Sequence, residues 1–259
     1  MQRKKVGLAL GGGGARGFCH IGVLQVLEEN GIPVDFVSGC SMGAIVGGCF
    51  CAGVSLEQLQ KIAQKITQRV VLDINISKRR YGLVRGTRAV KTIQPLVGDK
   101  CIEDCGIPFR ATATDVRSGT LKVLESGKLI DAMRASMSIP VAFHAVETGK
   151  EILVDGGVLE RIPIDSCRAM GADVVIAVDA LGGMPHSDYI PNGMLGIMER
   201  CCLLMDWQSC KENVKKADLL IVPEQGNRSS YRFKDNAYSV RQGRVAAEQL
   251  LPQIREIIR

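Results

Sequence analysis

Three short segments of the chain combine glycines with a residue that can take part in chemistry. They are Gly11–Gly17, which reads G-G-G-G-A-R-G, Gly39–Gly43, which reads G-C-S-M-G, and Asp155–Gly157, which reads D-G-G. Glycine-rich loops can turn several backbone amides towards an anion, a serine in a G-x-S-x-G turn can act as a nucleophile, and an aspartate can accept a proton. The three segments therefore hold the components of a nucleophilic reaction.

The first segment is placed to bind negative charge. It follows the apolar run Val6–Leu10 and precedes a helical pattern over about 17–30, so its amides would lie at the N-terminus of a helix. It also contains the dinucleotide-binding pattern G-x-G-x-x-G, at Gly12, Gly14 and Gly17. That fingerprint requires an acid at the end of the second strand. Asp35 falls near the start of that strand, so the dinucleotide interpretation is weak.

Ser41 lies in a turn between an apolar strand predicted at Val34–Ser38 and an almost wholly apolar helix predicted at Met42–Ala52. Such a turn lifts a serine hydroxyl above the sheet, and Gly39 and Gly43 allow the backbone to bend sharply. A serine that merely caps the helix would show the same pattern. The position favours a nucleophile, because Ser41 and the first glycine-rich loop would emerge at one edge of the sheet, where the amides can stabilise an oxyanion.

A serine nucleophile needs a base, and Asp155, at the end of a predicted strand, is the first candidate. Asp-Gly is also a common turn, and Asp115 and Asp179, which end other strands, are interpreted as ion-pairing or capping residues. The order Ser41, Asp155, His186 also fits the triad of an α/β-hydrolase. In that fold, however, the serine turn follows several strands, and here it follows the second.

The elements that must position these residues form one domain. Short apolar strands alternate with helices, no proline- or serine-rich linker divides the chain, and a hairpin is predicted around Arg117–Gly119. This pattern indicates an α/β sheet with helices on both faces. Ser55 and Gln58 form the capping box of a helix predicted over about 56–69, and the stretch 70–86 is predicted to be irregular.

The composition argues against several classes of protein. Aromatic residues make up only 4% of the chain, too few for stacking on single-stranded nucleic acid. The 10 cysteines show no C-x-x-C pair and no zinc-ligand spacing, so we expect reduced thiols and neither a metal nor another cofactor. The sequence shows no signal peptide and no apolar run long enough to span a membrane. It therefore predicts a cytoplasmic location.

Basic residues are concentrated in Lys61–Lys91, which holds nine lysines and arginines against one acid, a net charge of +8. A solvated surface would account for this charge. The alternative is peripheral contact with an anionic membrane, in which Tyr81 and Leu83 would enter the headgroup layer. The methionine- and leucine-rich stretch 189–207 would likewise either pack in the core or line an acyl pocket.

The glycine-rich segments resemble those of a known family. Together with Arg134–Pro140, which reads R-A-S-M-S-I-P, they look like the patatin-like phospholipase family, in particular its small bacterial cytoplasmic members. The resemblance spans residues 5 to about 180, and 181–259 would complete a single domain over 1–259 as a candidate lining of the acyl pocket. It implies a three-layer α/β/α sandwich with a mostly parallel central sheet and the serine turn after the second strand.

The same resemblance implies a Ser-Asp dyad without histidine. Carried over by position, Ser41 is the nucleophile and Asp155 the general base. The oxyanion and substrate-binding loop is formed by Gly12, Gly13, Gly14, Arg16 and Gly17, and the glycines of the two turns are Gly39, Gly43, Gly156 and Gly157. Arg161 departs from the family, which often has an asparagine there, and this puts the packing beside Asp155 in question.

The predicted function is hydrolysis of lipid or lipid-like acyl esters through an acyl-Ser41 intermediate, of the phospholipase A, lysophospholipase or esterase type. We expect a lipid substrate, no nucleic acid, and a cytoplasmic protein with peripheral membrane contact through 61–91. Two alternatives stay open. One is an esterase with a Ser-His-Asp triad that uses His186, and the other is a lipid-binding or regulatory protein without turnover.

Overall fold

The computed structural model describes residues 3–67, 84–182, 193–226 and 228–259. Its strands are β1 (Val6–Leu10), β2 (Phe36–Cys40), β3 (Phe109–Asp115), β4 (Thr120–Leu124), β5 (Val146–Thr148), β6 (Glu151–Asp155), β7 (Val174–Val178) and β8 (Leu219–Ile221). Its helices are α1 (Cys19–Glu29), α2 (Met42–Cys51), α3 (Leu56–Lys65), α4 (Thr87–Val97), α5 (Leu129–Ser136), α6 (Ile164–Arg168), α7 (Gly193–Asn213) and α8 (Asn236–Ile257).

The strands form one mixed sheet in the order β5-β6-β3-β2-β1-β7-β8, with β4 also paired to β3. The pairs β1–β2, β1–β7, β2–β3 and β7–β8 are parallel, and β3–β4, β3–β6 and β5–β6 are antiparallel. Every residue of β1 and β7 is buried, as expected of parallel strands covered on both faces. The α/β class predicted from the sequence is confirmed, and the carboxyl ends of β1, β2 and β7 lie at one edge of the sheet.

Strand β3 brings β2 and β6 end to end. Its first half pairs with β2 in parallel, and its last three residues pair with β6 in antiparallel fashion. The consecutive β3 residues Thr112 and Ala113 are the partners of Cys40 and Asp155, which are the last residues of their strands. Because β2 and β6 run in opposite directions along β3, the residue that follows Cys40 is delivered to Asp155.

Helices α1 and α8 approach each other so closely that only glycine fits at two contact points. A Cβ atom on Gly22 would lie 2.0 Å from the carbonyl oxygen of Val240, and a Cβ on Gly243 would lie 1.9 Å from that of Cys19. Both contacts are with backbone, which cannot move aside as a flexible side chain can. The last helix is therefore fixed against the first βα unit of the chain.

Several predicted boundaries shift in the structure. The second strand was expected at Val34–Ser38 but runs over Phe36–Cys40, because the Asp35 carboxylate accepts the Val6 amide at 2.7 Å and occupies the position before the parallel ladder. The sequence also predicts a strand at Ala142–Glu147, but in the structure this strand begins only at Val146 and ends at Thr148, where it pairs with β6.

Other predictions about the elements can be scored directly. The hairpin around Arg117–Gly119 and the Ser55–Gln58 capping box are confirmed, although α3 ends at Lys65 rather than near residue 69. Helix α4 was not predicted. The irregular stretch lies largely outside the described residues. Among the described helices, none combines the length and apolar character that crossing a membrane requires.

Candidate active site

Ser41 occupies a strained turn between β2 and α2. Its φ is 53° and its ψ is −119°, a conformation that a residue with a side chain rarely adopts. The turn is tightly enclosed, since a Cβ on Gly43 would lie 2.1 Å from the carbonyl oxygen of Leu10, and the Ser41 amide donates to Ser136 Oγ at 2.8 Å. Although Ser41 is the N-cap residue of α2, its side chain makes no capping hydrogen bond. This argues against a merely capping serine.

Asp155 presents one carboxylate oxygen to protein donors and leaves the other without a partner. Oδ1 accepts the Gly157 amide at 2.8 Å and the Cys40 thiol at 3.4 Å. Oδ2 is buried and has no hydrogen-bond partner of ordinary geometry among the described residues. Burial raises the pKa of Asp155 to about 6, against opposing contributions from the Ser41 hydroxyl, the Gly157 amide and the Cys40 thiol. The carboxyl is therefore a stronger base than an exposed aspartate, with Ser41 near enough to influence it.

In the glycine-rich loop, two backbone amides are hydrogen-bonded and the next two are not, within the described part of the chain. Gly11 donates to the carbonyl of Val178 and Gly12 to that of Arg161, both at 3.0 Å. The amides of Gly13 and Gly14 make no hydrogen bond within the described part of the chain. Of the three expected oxyanion donors, Gly13 and Gly14 are thus available. Gly12 serves a different need, because a Cβ there would lie 3.3 Å from that of Ser41.

Arg16 holds the glycine-rich loop against the C-terminal part of the chain. Its guanidinium donates to the carbonyls of Arg228 at 2.7 Å and of Leu181 at 3.0 Å, and the neighbouring Ala15 amide donates to the carbonyl of Ser230 at 2.8 Å. Gly17 packs directly on Met42, since a Cβ at Gly17 would be 2.6 Å from the Met42 Cβ. The loop is therefore clamped on both sides before any ligand binds.

Arg161 stands where the family that this sequence resembles often has an asparagine, and it has partners of its own. The buried guanidinium pairs with Asp179, which follows β7, and with Asp206 of α7 at 2.8 Å. Burial acts to lower the pKa of Arg161, but the two carboxylates outweigh it and raise the pKa above its usual value. The carbonyl of the same residue receives the Gly12 amide. Arg161 thereby joins the sheet, α7 and the glycine-rich loop rather than contacting Asp155.

The remaining titratable candidates have structural partners or lie elsewhere. Asp115 accepts the amides of its own turn and the Ser118 hydroxyl, which contribute to a pKa of about 2, and Asp179 is ion-paired as predicted. His20 is fully buried, bonds the Gly11 carbonyl at 2.7 Å and has its pKa lowered to about 4 by burial. His186 falls outside the described residues, so the triad alternative is untested by the geometry.

An apolar pocket opens beside Ser41. Helices α2 and α4, the segment after α5 and the loop before α8 contribute its lining, through residues Gly14, Phe18, Met42, Ile45, Ile66, Ala89, Thr92, Ile93, Met137, Ile139, Phe143 and Phe233. The contacts of Ser136, Cys40 and Phe233 at the site were not predicted from the sequence. Only Ser136 carried a signal, because it lies in the R-A-S-M-S-I-P segment.

No cluster of three or more metal-ligating His, Cys, Asp or Glu residues occurs in the described part of the chain.

Comparison with known proteins identifies the relatives of this chain. A family model described as patatin-like phospholipase matches residues 8–168. An NTE family protein of Mycobacterium tuberculosis is 39% identical over 193 residues, which cover 73% of this chain and 53% of the relative. Lysophospholipase NTE1 of Debaryomyces hansenii is 34% identical over 185 residues, covering 69% of this chain and 12% of that protein. The chain thus spans about half the length of the mycobacterial relative and far less of the yeast protein.

A solved structure shares the fold. VipD from Legionella pneumophila superposes with a TM-score of 0.66 at 14% sequence identity, covering 98% of this chain and 67% of that chain. The superposition includes the region beyond residue 168, where the family model no longer matches. The C-terminal helices and β8 are therefore part of the shared architecture.

Proposed function

The chain belongs to the patatin-like phospholipase family, and on that premise we propose that it is a serine acyl hydrolase that cleaves lipid esters through an acyl-Ser41 intermediate. The observation that carries the proposal is the meeting of two strand ends on β3. It places the strained Ser41 beside a buried Asp155 whose Oδ2 has no partner among the described residues. Nucleophile and base are therefore positioned by backbone pairing rather than by flexible side chains.

The reaction follows from these positions. Ser41 Oγ attacks the ester carbonyl carbon while its proton passes to Asp155 Oδ2, and the carbonyl oxygen becomes an oxyanion that accepts the Gly13 and Gly14 amides. As the intermediate collapses, the ester C–O bond breaks and Asp155 returns the proton to the departing alcohol. Water then repeats the sequence on the acyl-enzyme, releasing the fatty acid and restoring the Ser41 hydroxyl.

The raised pKa of Asp155 supports its role as the base. An ordinary aspartate has a pKa near 3.8 and is a weak base at neutral pH, whereas burial raises that of Asp155 to about 6. General-base efficiency increases as the pKa of the base approaches the working pH. The carboxyl is still mostly ionised at pH 7, so it combines a useful basicity with the correct protonation state.

The pocket supports an apolar acyl group as the substrate part that enters the protein. Its lining is almost wholly apolar, with Thr92 as the exception apart from Ser41 itself, so a hydrocarbon chain that enters it is removed from water and covers almost no polar group. A relative carries the name lysophospholipase. We therefore assign lipid acyl esters, lysophospholipids among them, as the substrate class.

The test is a lipid hydrolysis assay. The purified protein is expected to release fatty acid from a palmitoyl lysophospholipid and from p-nitrophenyl esters, at an unchanged rate in excess EDTA because the proposed chemistry uses no metal. Free fatty acid is measured by mass spectrometry and p-nitrophenol by absorbance. Binding of the lysophospholipid with no release of fatty acid, and no turnover of either ester class, would instead support the non-catalytic alternative.

The basic segment Lys61–Lys91 is part of the same proposal. Its described portion includes the first five residues of α4, where Arg88 and Lys91 are exposed, and Ala89 and Ile93 of the same helix line the pocket. A cationic surface adjoining the acyl pocket supports peripheral contact with anionic lipid, which attracts each nearby Lys or Arg by about 1 kcal/mol. Such contact would bring the pocket to the layer that holds the substrate.

Reversing the charges of Lys78, Arg79 and Arg80 to glutamate is expected to weaken binding to anionic vesicles and hydrolysis of vesicle-borne lipid, while a soluble ester is turned over as before. Wild-type binding should also weaken as salt rises, because screening shortens the range of the attraction. Vesicle co-sedimentation measures the binding.

The matched control replaces Lys211, Lys215 and Lys216 by glutamate. These residues are exposed and precede β8, the strand at one edge of the sheet. The control variant should leave vesicle binding unchanged. Equal loss of vesicle binding in the two triple variants would show that the basic segment is an ordinary solvated surface. An equal loss of hydrolysis on vesicle-borne and soluble substrates would show the same.

A further inference from the structure

Cys40, the residue before the nucleophile, contacts the base. Its side chain is fully buried, and the Sγ atom lies 3.4 Å from Asp155 Oδ1, within hydrogen-bond range for sulfur. The contact follows from the strand register, because Cys40 and Asp155 pair with consecutive residues of β3. The same pairing that delivers Ser41 to Asp155 therefore also fixes the thiol against the carboxylate.

The direction of this hydrogen bond is set by protonation. Burial, followed by the nearby Asp155 carboxylate, raises the pKa of Cys40 well above its ordinary value, so the side chain is a neutral thiol at neutral pH. An ionised carboxylate has no proton to donate. The S–H group must therefore donate to Oδ1, which already receives the Gly157 amide at 2.8 Å.

We propose that Cys40 is a positioning residue for the base: its thiol and the Gly157 amide hold Asp155 Oδ1 and so direct Oδ2 towards Ser41. This inference rests on the proposed function only for its catalytic consequence. Two donors on one oxygen fix the rotation of the carboxyl group, and Oδ2 is the oxygen left without a partner among the described residues. The carboxylate thus reaches the serine proton without needing a histidine to orient it.

Removal of the Cys40 thiol should change the pKa of Asp155, an effect that a cysteine present only for packing would not produce. A hydrogen bond donated to a carboxylate favours its ionised form, so removing the thiol should raise the pKa of Asp155 further. The acid limb of the kcat/KM profile would move to higher pH, and the plateau rate would fall because Oδ2 is less well directed. A cysteine that only fills space would affect stability and leave the acid limb in place.

The experiment compares Cys40→Ala with Cys49→Ala, a matched control that removes another fully buried thiol, on α2, without a contact to Asp155. Cys40→Ala is expected to move the acid limb up by about half a pH unit, the scale of one modest hydrogen bond. Cys40→Ser, which keeps a donor and the shape of the site, should return the limb to the wild-type position or below. An unmoved limb in Cys40→Ala, or the same shift in Cys49→Ala, would overturn the inference.

A second readout separates this inference from the proposed function. Titration of the Asp155 carboxyl by carbon-13 NMR needs no substrate, and its resonance is assigned by its loss in Asp155→Asn. The titration midpoint should rise in Cys40→Ala and recover in Cys40→Ser even if the wild-type protein hydrolyses none of the esters tested. Normal hydrolysis with an unchanged midpoint in Cys40→Ala would refute the role of Cys40 and leave the proposed function standing.

Discussion

Ser41→Ala is expected to reduce ester hydrolysis by about 10⁴-fold or more and to abolish covalent labelling by a fluorophosphonate. The variant lacks the oxygen proposed to form the acyl-enzyme, and none of the other described serines combines the positive φ of Ser41 with a neighbouring carboxylate oxygen that has no ordinary hydrogen bond. Labelling is followed by the mass increase of the intact protein, and hydrolysis by release of p-nitrophenol. Undiminished labelling of the variant would remove Ser41 from the proposal.

Ser55→Ala provides the matched control. Ser55 is also the N-cap of a helix, but its side chain accepts the Gln58 amide at 3.2 Å, whereas that of Ser41 makes no capping bond. Loss of that cap should lower the free energy of unfolding by about 1 kcal/mol and leave labelling intact. Ser41→Ala should show the converse, with stability retained and labelling lost.

Asp155→Asn is expected to reduce the hydrolytic rate by at least about 10²-fold, the scale of a general-base contribution. The wild-type rate should rise with pH through a midpoint near 6, where the carboxyl loses its proton, and the variant should lack this limb. The measurement is kcat/KM between about pH 4 and about pH 8 on a soluble ester, roughly two units either side of the midpoint. A variant that keeps more than about a tenth of the wild-type rate would show that Asp155 is not the base.

The same substitution tests the burial of the carboxyl through stability. The native state binds the Asp155 proton more tightly than the unfolded chain, because burial raises the pKa from 3.8 to about 6. The buried, ionised carboxyl therefore lowers the free energy of unfolding by up to about 3 kcal/mol. This loss of stability is fully present well above pH 6. It disappears as the pH falls through the pKa of the native state towards that of the unfolded chain. Asp155→Asn should therefore unfold at a higher temperature than wild type at neutral pH, with a smaller difference in acid.

The histidines supply the discriminating comparison with a triad. Separate replacement of His20, His144 and His186 by alanine should reduce the rate far less than Asp155→Asn in every variant that folds. Loss of activity in His186→Ala alone, with the fold intact, would establish the Ser-His-Asp alternative.

Local sequence patterns predicted the turns and strand ends at the candidate site better than the tertiary contacts around them. The turn at Ser41 and the strand ending at Asp155 each depend on a few neighbouring residues, and each pattern was readable in the sequence. The Cys40–Asp155 contact and the hydrogen bond from Ser41 to Ser136 depend on strand register and tertiary packing. Residues so far apart in the chain leave no joint signal in a single sequence.

The C-terminal region illustrates the same limit. Phe233 completes the apolar pocket and the Ser230 carbonyl receives the Ala15 amide, yet no motif marks either residue. Arg161 departs from the family pattern, and no pattern in the sequence indicated its partner. That partner, Asp206, lies on α7, whose sequence carries no recognisable motif. Such partners become visible only once the helix is placed against the sheet.

The clamp on the glycine-rich loop also orders events during translation. The turn at Ser41 leaves the ribosome first, but the carbonyls of Arg228 and Ser230 that hold Arg16 and Ala15 emerge roughly ten to forty seconds later at typical synthesis rates. Until then the nascent chain has the Ser41 turn without the clamp on the glycine-rich loop. Under the proposed function, a chain that ends before these carbonyls would lack the clamp on its glycine-rich loop and would not yet hydrolyse esters.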